Sequence, residues 1–216
     1  MDPKDFVNLS FDGWIDFIFN HPVPDDRSER SWDLEYSFDF WYSLKDHDSK
    51  LMQISYASRL FKESNILVEL FSPDQINQGF WVLLNGFDYF CVNDLIRDDD
   101  IPIEKRRDCI LSMVEVFRTG VFTKYNEIDS CYMWWDFLRW FWFDDAESDV
   151  PNIMFEALAR ILELPTPYAQ VSALHGLGHL DHPAKVSLIE EYLNKNLTLD
   201  DDFKKYARAA QDGKVL

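Results

Sequence analysis

Hydrophobic residues recur every three to four positions along most of this chain, with polar residues between them. From Phe11 to Ile18 they fall on one face behind Ser10, a residue type that caps helices, and this spacing predicts a short helix ending before Pro22. The same spacing predicts two further helices over about 51–61 and 66–71. The amphipathic pattern therefore favours a chain built of helices joined by short connections.

Serine and proline residues mark the beginnings of several predicted helices. Ser72 precedes Pro73, and Gln75 occupies the third helical position, which is the pattern of a capped helix running to about Asn85. Prolines at the same place predict a longer helix after position 102, another over about 151–164 and a third beginning at position 167.

Two segments predict something other than a helix. Residues 22–33, PVPDDRSERSWD, are polar, acidic and contain two prolines, so we expect an internal loop. In the following residues the aromatic side chains alternate from Tyr36 to Tyr42, which is the one place where a strand is also compatible with the pattern.

An aromatic segment, CYMWWDFLRWFWF, follows Ser130 and predicts a helix that is apolar on all sides. Such a helix is either buried in a core or exposes an anchor for a partner, and both alternatives stay open. The second alternative makes the tryptophans, together with the carboxylates that follow, candidates for a protein interface. These residues are Trp134, Trp135, Trp140, Trp142, Asp144 and Asp145.

Composition narrows the class of protein. Only 7 Gly and 9 Pro occur in 216 residues, too few turn residues for a many-stranded sheet, so an all-α fold is expected. The 39 acidic residues outnumber the 21 basic ones and give a net charge of −18, which opposes binding to nucleic acid or anionic lipid and favours a basic protein partner.

The lack of recognisable targeting signals and the pattern of cysteines predict a cytoplasmic protein. The chain has no apolar run near the roughly 20 residues of a membrane span, and its first residues lack the pattern of a signal peptide. Cys91, Cys109 and Cys131 are odd in number and lie in apolar segments, which predicts buried, reduced thiols rather than a disulfide framework.

Residues 167–194, PYAQVSALHGLGHLDHPAKVSLIEEYLN, predict a helix, a tight turn and a second helix, and a capping helix over about 200–211 ends at Gly213. This segment is similar to HEAT-like repeats of the bilin-lyase type, with His182 where those repeats usually have aspartate. The matching residues are Leu177, Gly178, Leu180, Pro183, Ala184 and Val186.

The whole chain also resembles a group of uncharacterised bacterial helical proteins, through the segments SRLFKES, FSPDQINQGFW, CYMWWDF and ALHGLGHL. The two resemblances imply an α-α superhelix of stacked helical hairpins. They imply one helical-repeat domain over 1–216, with the C-terminal repeat and cap at 167–213, and they imply no activity.

Three of the five histidines, His175, His179 and His182, fall within eight residues. A pair spaced i, i+4 faces one side of a helix and can bind a divalent metal ion, with His182 following across the turn and Asp181 or a distant carboxylate completing the ligand set. Gly176 stands where a zinc hydrolase helix has its catalytic glutamate. Helix packing by these histidines is the alternative.

Two functions therefore follow from the sequence. The first is a non-catalytic interaction protein without cofactor, whose acidic and aromatic surface binds a basic protein; an immunity protein that neutralises a basic toxin is one form of it. The second is a metal-binding protein or metal-dependent hydrolase centred on His175, His179 and His182. The oligomeric state is left open.

Overall fold

A computed structural model describes residues 6, 8–23, 47–85, 91–142 and 149–215. All regular elements within these ranges are α-helices or 3-10 helices, so the all-α prediction is confirmed for the described residues. The predicted loop at 22–33 and the alternating aromatic residues after it fall almost wholly outside them.

The chain divides into two compact units, Met1–Ser130 (unit 1) and Cys131–Leu216 (unit 2). Each unit is described by itself below. The single domain and the superhelical stacking of hairpins stay predictions. Within the described ranges, none of the helices is both long enough and apolar enough to cross a membrane.

Unit 1 contains the helices predicted over about 11–18, 51–61, 66–71 and 73–85 and after position 102, and a further short helix at 92–97. The principal ones are α1 (Phe11–Phe19), α2 (His47–Lys62), α3 (Leu67–Leu70), α4 (Pro73–Asn85), α5 (Val92–Arg97) and α6 (Ile103–Arg118). Short 3-10 helices, Ser64–Ile66 and Val121–Thr123, precede α3 and follow α6.

The predicted caps of α1 and α4 are confirmed by their hydrogen bonds. Ser10 Oγ accepts from the Gly13 backbone N–H at 3.2 Å. Ser72 Oγ accepts from the Gln75 N–H at 3.3 Å, while the Ser72 N–H donates back to Gln75 Oε1 at 3.2 Å, which forms a reciprocal capping box.

Unit 2 begins in the short helix α7 (Asp129–Tyr132), within which the unit boundary falls, and continues as a 3-10 helix, Met133–Trp142. Four α-helices complete it: α8 (Val150–Leu162), α9 (Pro167–His179), α10 (Lys185–Lys195) and α11 (Asp201–Gln211). The predicted helix, turn, helix and capping helix of this region are confirmed.

The ends of the capping helix also agree with the sequence. Asp200 Oδ1 accepts from the Phe203 N–H at 2.8 Å, and Gly213 has a positive φ of 69°, a conformation that glycine adopts without steric cost. Val186, one of the residues that match the repeat pattern, does not pack inward: it is 47% exposed.

The aromatic segment differs from its prediction. Instead of one α-helix behind Ser130, the chain makes a single α-helical turn and then ten residues of 3-10 helix. Large aromatic residues have low α-helix propensity because their side chains lose rotamer freedom against the preceding turn. Here tertiary burial of the indoles of Trp134 and Trp135, both fully buried, sets the local backbone.

The three cysteines are free and buried, as the sequence predicts. Burial raises the pKa of the Cys91, Cys109 and Cys131 thiols to about 12.

Because only the thiolate is nucleophilic, we expect the native protein at pH 8 to react with a disulfide reagent such as DTNB more than about 100-fold more slowly than the unfolded protein. Fast release of even one thiol equivalent before denaturant is added would contradict this.

Candidate functional site

A cluster of titratable side chains in unit 2 lies where α9 meets the 3-10 helix. His175 and His179 are one turn apart on α9, and their Nε2 atoms are 3.3 Å from each other. The ring planes are nearly perpendicular, with centroids 4.7 Å apart. The side chain of His175 is fully buried, whereas that of His179 is 23% exposed. The i, i+4 spacing therefore brings two imidazole nitrogens to one point.

Asp136 of the 3-10 helix completes the cluster. Its Oδ1 lies 3.1 Å from His175 Nε2 and 2.8 Å from His179 Nε2, and its side chain is only 14% exposed. These three residues form the one group of metal-ligand type found within the described ranges. We call Asp136, His175 and His179 the triad.

The carboxylate of the triad is held charged. Burial by itself raises the pKa of Asp136, but the hydrogen-bonding capacity and charge of His175 and His179 reverse this and hold the pKa well below its usual range. Although Oδ1 is buried and close to both rings, it has no hydrogen-bond partner of acceptable geometry. Asp136 Oδ1 therefore approaches both imidazoles closely without a well-aligned hydrogen bond to either.

Two tyrosines lie behind His175, on the ring edge opposite the triad. The Tyr206 hydroxyl is 3.0 Å from His175 Nδ1, and the Tyr132 hydroxyl is 3.2 Å from that of Tyr206. Burial, the hydrogen bond with Tyr132 and the nearby charge of Asp136 raise the pKa of Tyr206 far above its usual value, so its hydroxyl stays protonated. This chain of hydrogen bonds fixes the orientation of the His175 ring.

Close packing of the 3-10 helix against Gly176 of α9 determines where the side chains of the triad lie. A Cβ on Gly176 would lie 2.5 Å from Leu158 Cδ2 and 2.7 Å from Trp135 Cγ, so only glycine admits the 3-10 helix this near to α9. Ser172, one turn earlier on α9, donates from Oγ to the Cys131 carbonyl at 2.9 Å. Trp135 and Gly176 are the chain neighbours of Asp136 and His175, so their contact sets the distance between Asp136 and the two histidines.

His182 lies outside the triad, contrary to its assignment to one ligand set with His175 and His179. Its Nε2–H donates to Asn152 Oδ1 at 3.1 Å, its Nδ1 accepts from the Ala184 N–H at 3.2 Å, and its ring stacks on Phe155 at 3.9 Å. Both nitrogens are therefore occupied, and burial lowers the pKa of this imidazole. The sequence hypothesis of a distant carboxylate corresponds to Asp136, and Asp181 has no place in the triad.

The interface candidates separate into two groups. Trp134 and Trp135 are fully buried inside unit 2, so they are core residues rather than surface anchors. Trp140 and Trp142 lie on the 3-10 helix, but their side chains are outside what the structure describes, as are Asp144 and Asp145 altogether.

Comparisons of the chain with protein-family models, with curated proteins and with solved structures found no match.

Proposed function

We propose that this protein binds one divalent transition-metal ion through Asp136 Oδ1, His175 Nε2 and His179 Nε2. The observation that carries the proposal is the convergence of three ligand atoms from two elements, all within 3.3 Å of one another. One carboxylate and two imidazoles suit Zn²⁺, Fe²⁺ or Co²⁺ better than Ca²⁺ or Mg²⁺, which prefer oxygen ligands.

The spacing of the triad supports this ligand set. In a tetrahedral zinc centre with bonds of about 2.0 Å, two ligand atoms lie about 3.3 Å apart. The nitrogen pair is separated by this distance, and the two contacts of Oδ1 are shorter, at 3.1 and 2.8 Å. If Asp136 Oδ1 moves slightly away from the two nitrogens, all three distances match those of a tetrahedral centre.

The hydrogen-bond geometry supports it as well. Ligands direct their lone pairs at the metal ion rather than at one another, so close but poorly aligned contacts are expected between them. Asp136 Oδ1 has this property. On the far edge of the ring, His175 Nδ1–H can donate to the Tyr206 hydroxyl, which is the outer contact that metal-bound histidines usually make.

Equilibrium dialysis of the purified protein against Zn²⁺, after removal of bound metal with a chelator, tests the proposal. We expect one ion per chain in the wild type and loss of that ion in Asp136→Asn, which keeps the shape of the side chain but removes its charge. Retention of a full equivalent by Asp136→Asn, or none in the wild type, would refute it.

Replacing Tyr206 by phenylalanine is expected to lower Zn²⁺ affinity about 10- to 100-fold, because His175 loses the acceptor that orients its ring. Isothermal titration with Zn²⁺ measures the change. Tyr192→Phe is the matched control, since the Tyr192 hydroxyl is buried in the same unit and has no hydrogen-bond partner among the described residues. Equal affinity losses in both variants would assign Tyr206 a packing role only.

The acidic charge supports a second candidate function, binding of a basic protein partner in the cytoplasm. A net charge of −18 accelerates association with a basic surface and makes it dependent on salt. Because Trp134 and Trp135 are buried, this proposal depends on other residues, and Asp144 and Asp145, which the sequence indicates, are the first to test. Exchange of both for lysine is expected to slow association at low salt much more than at high salt; an unchanged rate would exclude them.

A further inference from the structure

We infer that the metal ion of the triad keeps a coordination position open to an exchangeable ligand, water or a small monodentate molecule, and so belongs to the catalytic rather than the structural type of site. The inference rests on the proposed metal binding at Asp136, His175 and His179. Structural zinc sites are closed by four protein ligands, whereas catalytic ones have three and a water molecule.

The number of protein donors is the first support. Among the His, Cys, Asp and Glu side chains of the described ranges, only those of the triad come together, without a fourth member. The nearest other histidine in the sequence, His182, uses both ring nitrogens elsewhere. An ion bound by the triad therefore has three ligands from the described residues.

The tyrosines near the triad do not fill the remaining position. The Tyr206 hydroxyl is bound to Nδ1 of His175, on the opposite ring edge from the Nε2 that faces the triad. The Tyr132 hydroxyl is bound in turn to that of Tyr206, and its ring lies against the His175 ring at 4.4 Å. The Tyr206 hydroxyl is therefore engaged on the edge of the His175 ring that is opposite the ligating nitrogen, and the Tyr132 hydroxyl is engaged with Tyr206.

Solvent reaches the triad from the other side. The exposed fraction of the side chain rises from none at His175 to 14% at Asp136 and 23% at His179. An ion bound by the three donor atoms lies at or above the triangle that they form, so its unoccupied position points away from that triangle. Asp136 Oδ1 is itself buried, so His179, the most exposed member of the triad, marks the side from which an exchangeable ligand would approach.

Cobalt substitution tests the inference, because the visible spectrum of protein-bound Co²⁺ reports its coordination. The metal-free protein is loaded with one equivalent of Co²⁺ in a non-coordinating buffer and titrated with azide and, separately, with imidazole. Imidazole is included because it is neutral and is not repelled by the net charge of −18. Desalting at each step confirms that cobalt stays on the protein, and His182→Ala serves as the control variant.

The expected result is a saturable one-to-one change in the cobalt spectrum with at least one probe, identical in wild type and His182→Ala. A cobalt spectrum that forms but does not change at high probe concentration would overturn the inference. It would leave the proposed metal binding standing, since a fourth ligand from the chain would then close the site. Absence of any protein-bound cobalt spectrum would overturn the inference together with the proposed function.

Discussion

His179→Ala is expected to weaken Zn²⁺ binding by more than about 100-fold, because it removes a ligand, and loss of an outer contact to a ligand alone costs 10- to 100-fold. The side chain of His179 is 23% exposed and lies in the last turn of α9, so its removal leaves no large cavity. Because Asp136 loses one of its two imidazole neighbours, we expect the free energy of unfolding of the metal-free protein to fall modestly, by about 1 kcal/mol. Calorimetric titration and denaturant unfolding measure the two quantities separately.

His182→Ala is the matched control for this variant. The two histidines are three residues apart in sequence, but His182 stacks on Phe155 and bonds to Asn152, away from the triad. Its removal is expected to leave Zn²⁺ affinity unchanged and to lower stability modestly. Equal loss of affinity in the two variants would show that the ligands are not those of the triad.

Gly176→Ala is expected to destabilise unit 2 by about 3 kcal/mol and to weaken metal binding with it. Helix propensity alone predicts the opposite sign, a gain of up to about 1 kcal/mol, so the direction of the change is diagnostic. The added methyl group would lie 2.5 Å from Leu158 Cδ2 and 2.7 Å from Trp135 Cγ, both on fully buried side chains with little room to move. Displacement of Trp135 carries Asp136 away from the two histidines.

Gly13→Ala provides the comparison, since Gly13 is also inside a helix and its added Cβ would meet Leu9 and Ser10 at an ordinary distance of 3.4 Å. We expect this substitution to be neutral or stabilising. Unfolding in urea followed by tryptophan fluorescence gives both values. A stability gain in Gly176→Ala would mean that α9 and the 3-10 helix are not in close contact in solution.

Local chemistry explains which helices could be predicted from the sequence. Where a serine, proline or aspartate occupies a cap, as at Ser72 and Asp200, the boundary follows from one or two hydrogen bonds among neighbours, and the structure has it at the expected residue. The aromatic segment has no comparable local determinant. Its backbone depends on burial of Trp134 and Trp135, which a linear pattern does not reveal.

Only the two histidines of the candidate site could be predicted from the sequence. The i, i+4 spacing of His175 and His179 defines a shared helix face, and the structure places both rings there. Asp136 lies 39 positions before His175 in the sequence, and the contact that joins them depends on Gly176 and on the path of the 3-10 helix. The available signal was a single carboxylate within an apolar aromatic run, MWWDFL, since a charge in such a run needs a buried partner.

The ten residues of 3-10 helix give the triad an effect on local unfolding. Runs longer than three or four residues are uncommon because the i to i+3 hydrogen bonds are strained, so Met133–Trp142 should open more readily than the α-helices. An ion held by Asp136, His175 and His179 binds only the closed form, and at 100 times its dissociation constant it would slow amide hydrogen exchange through such openings by about 100-fold. Metal binding would then stabilise this segment against local unfolding.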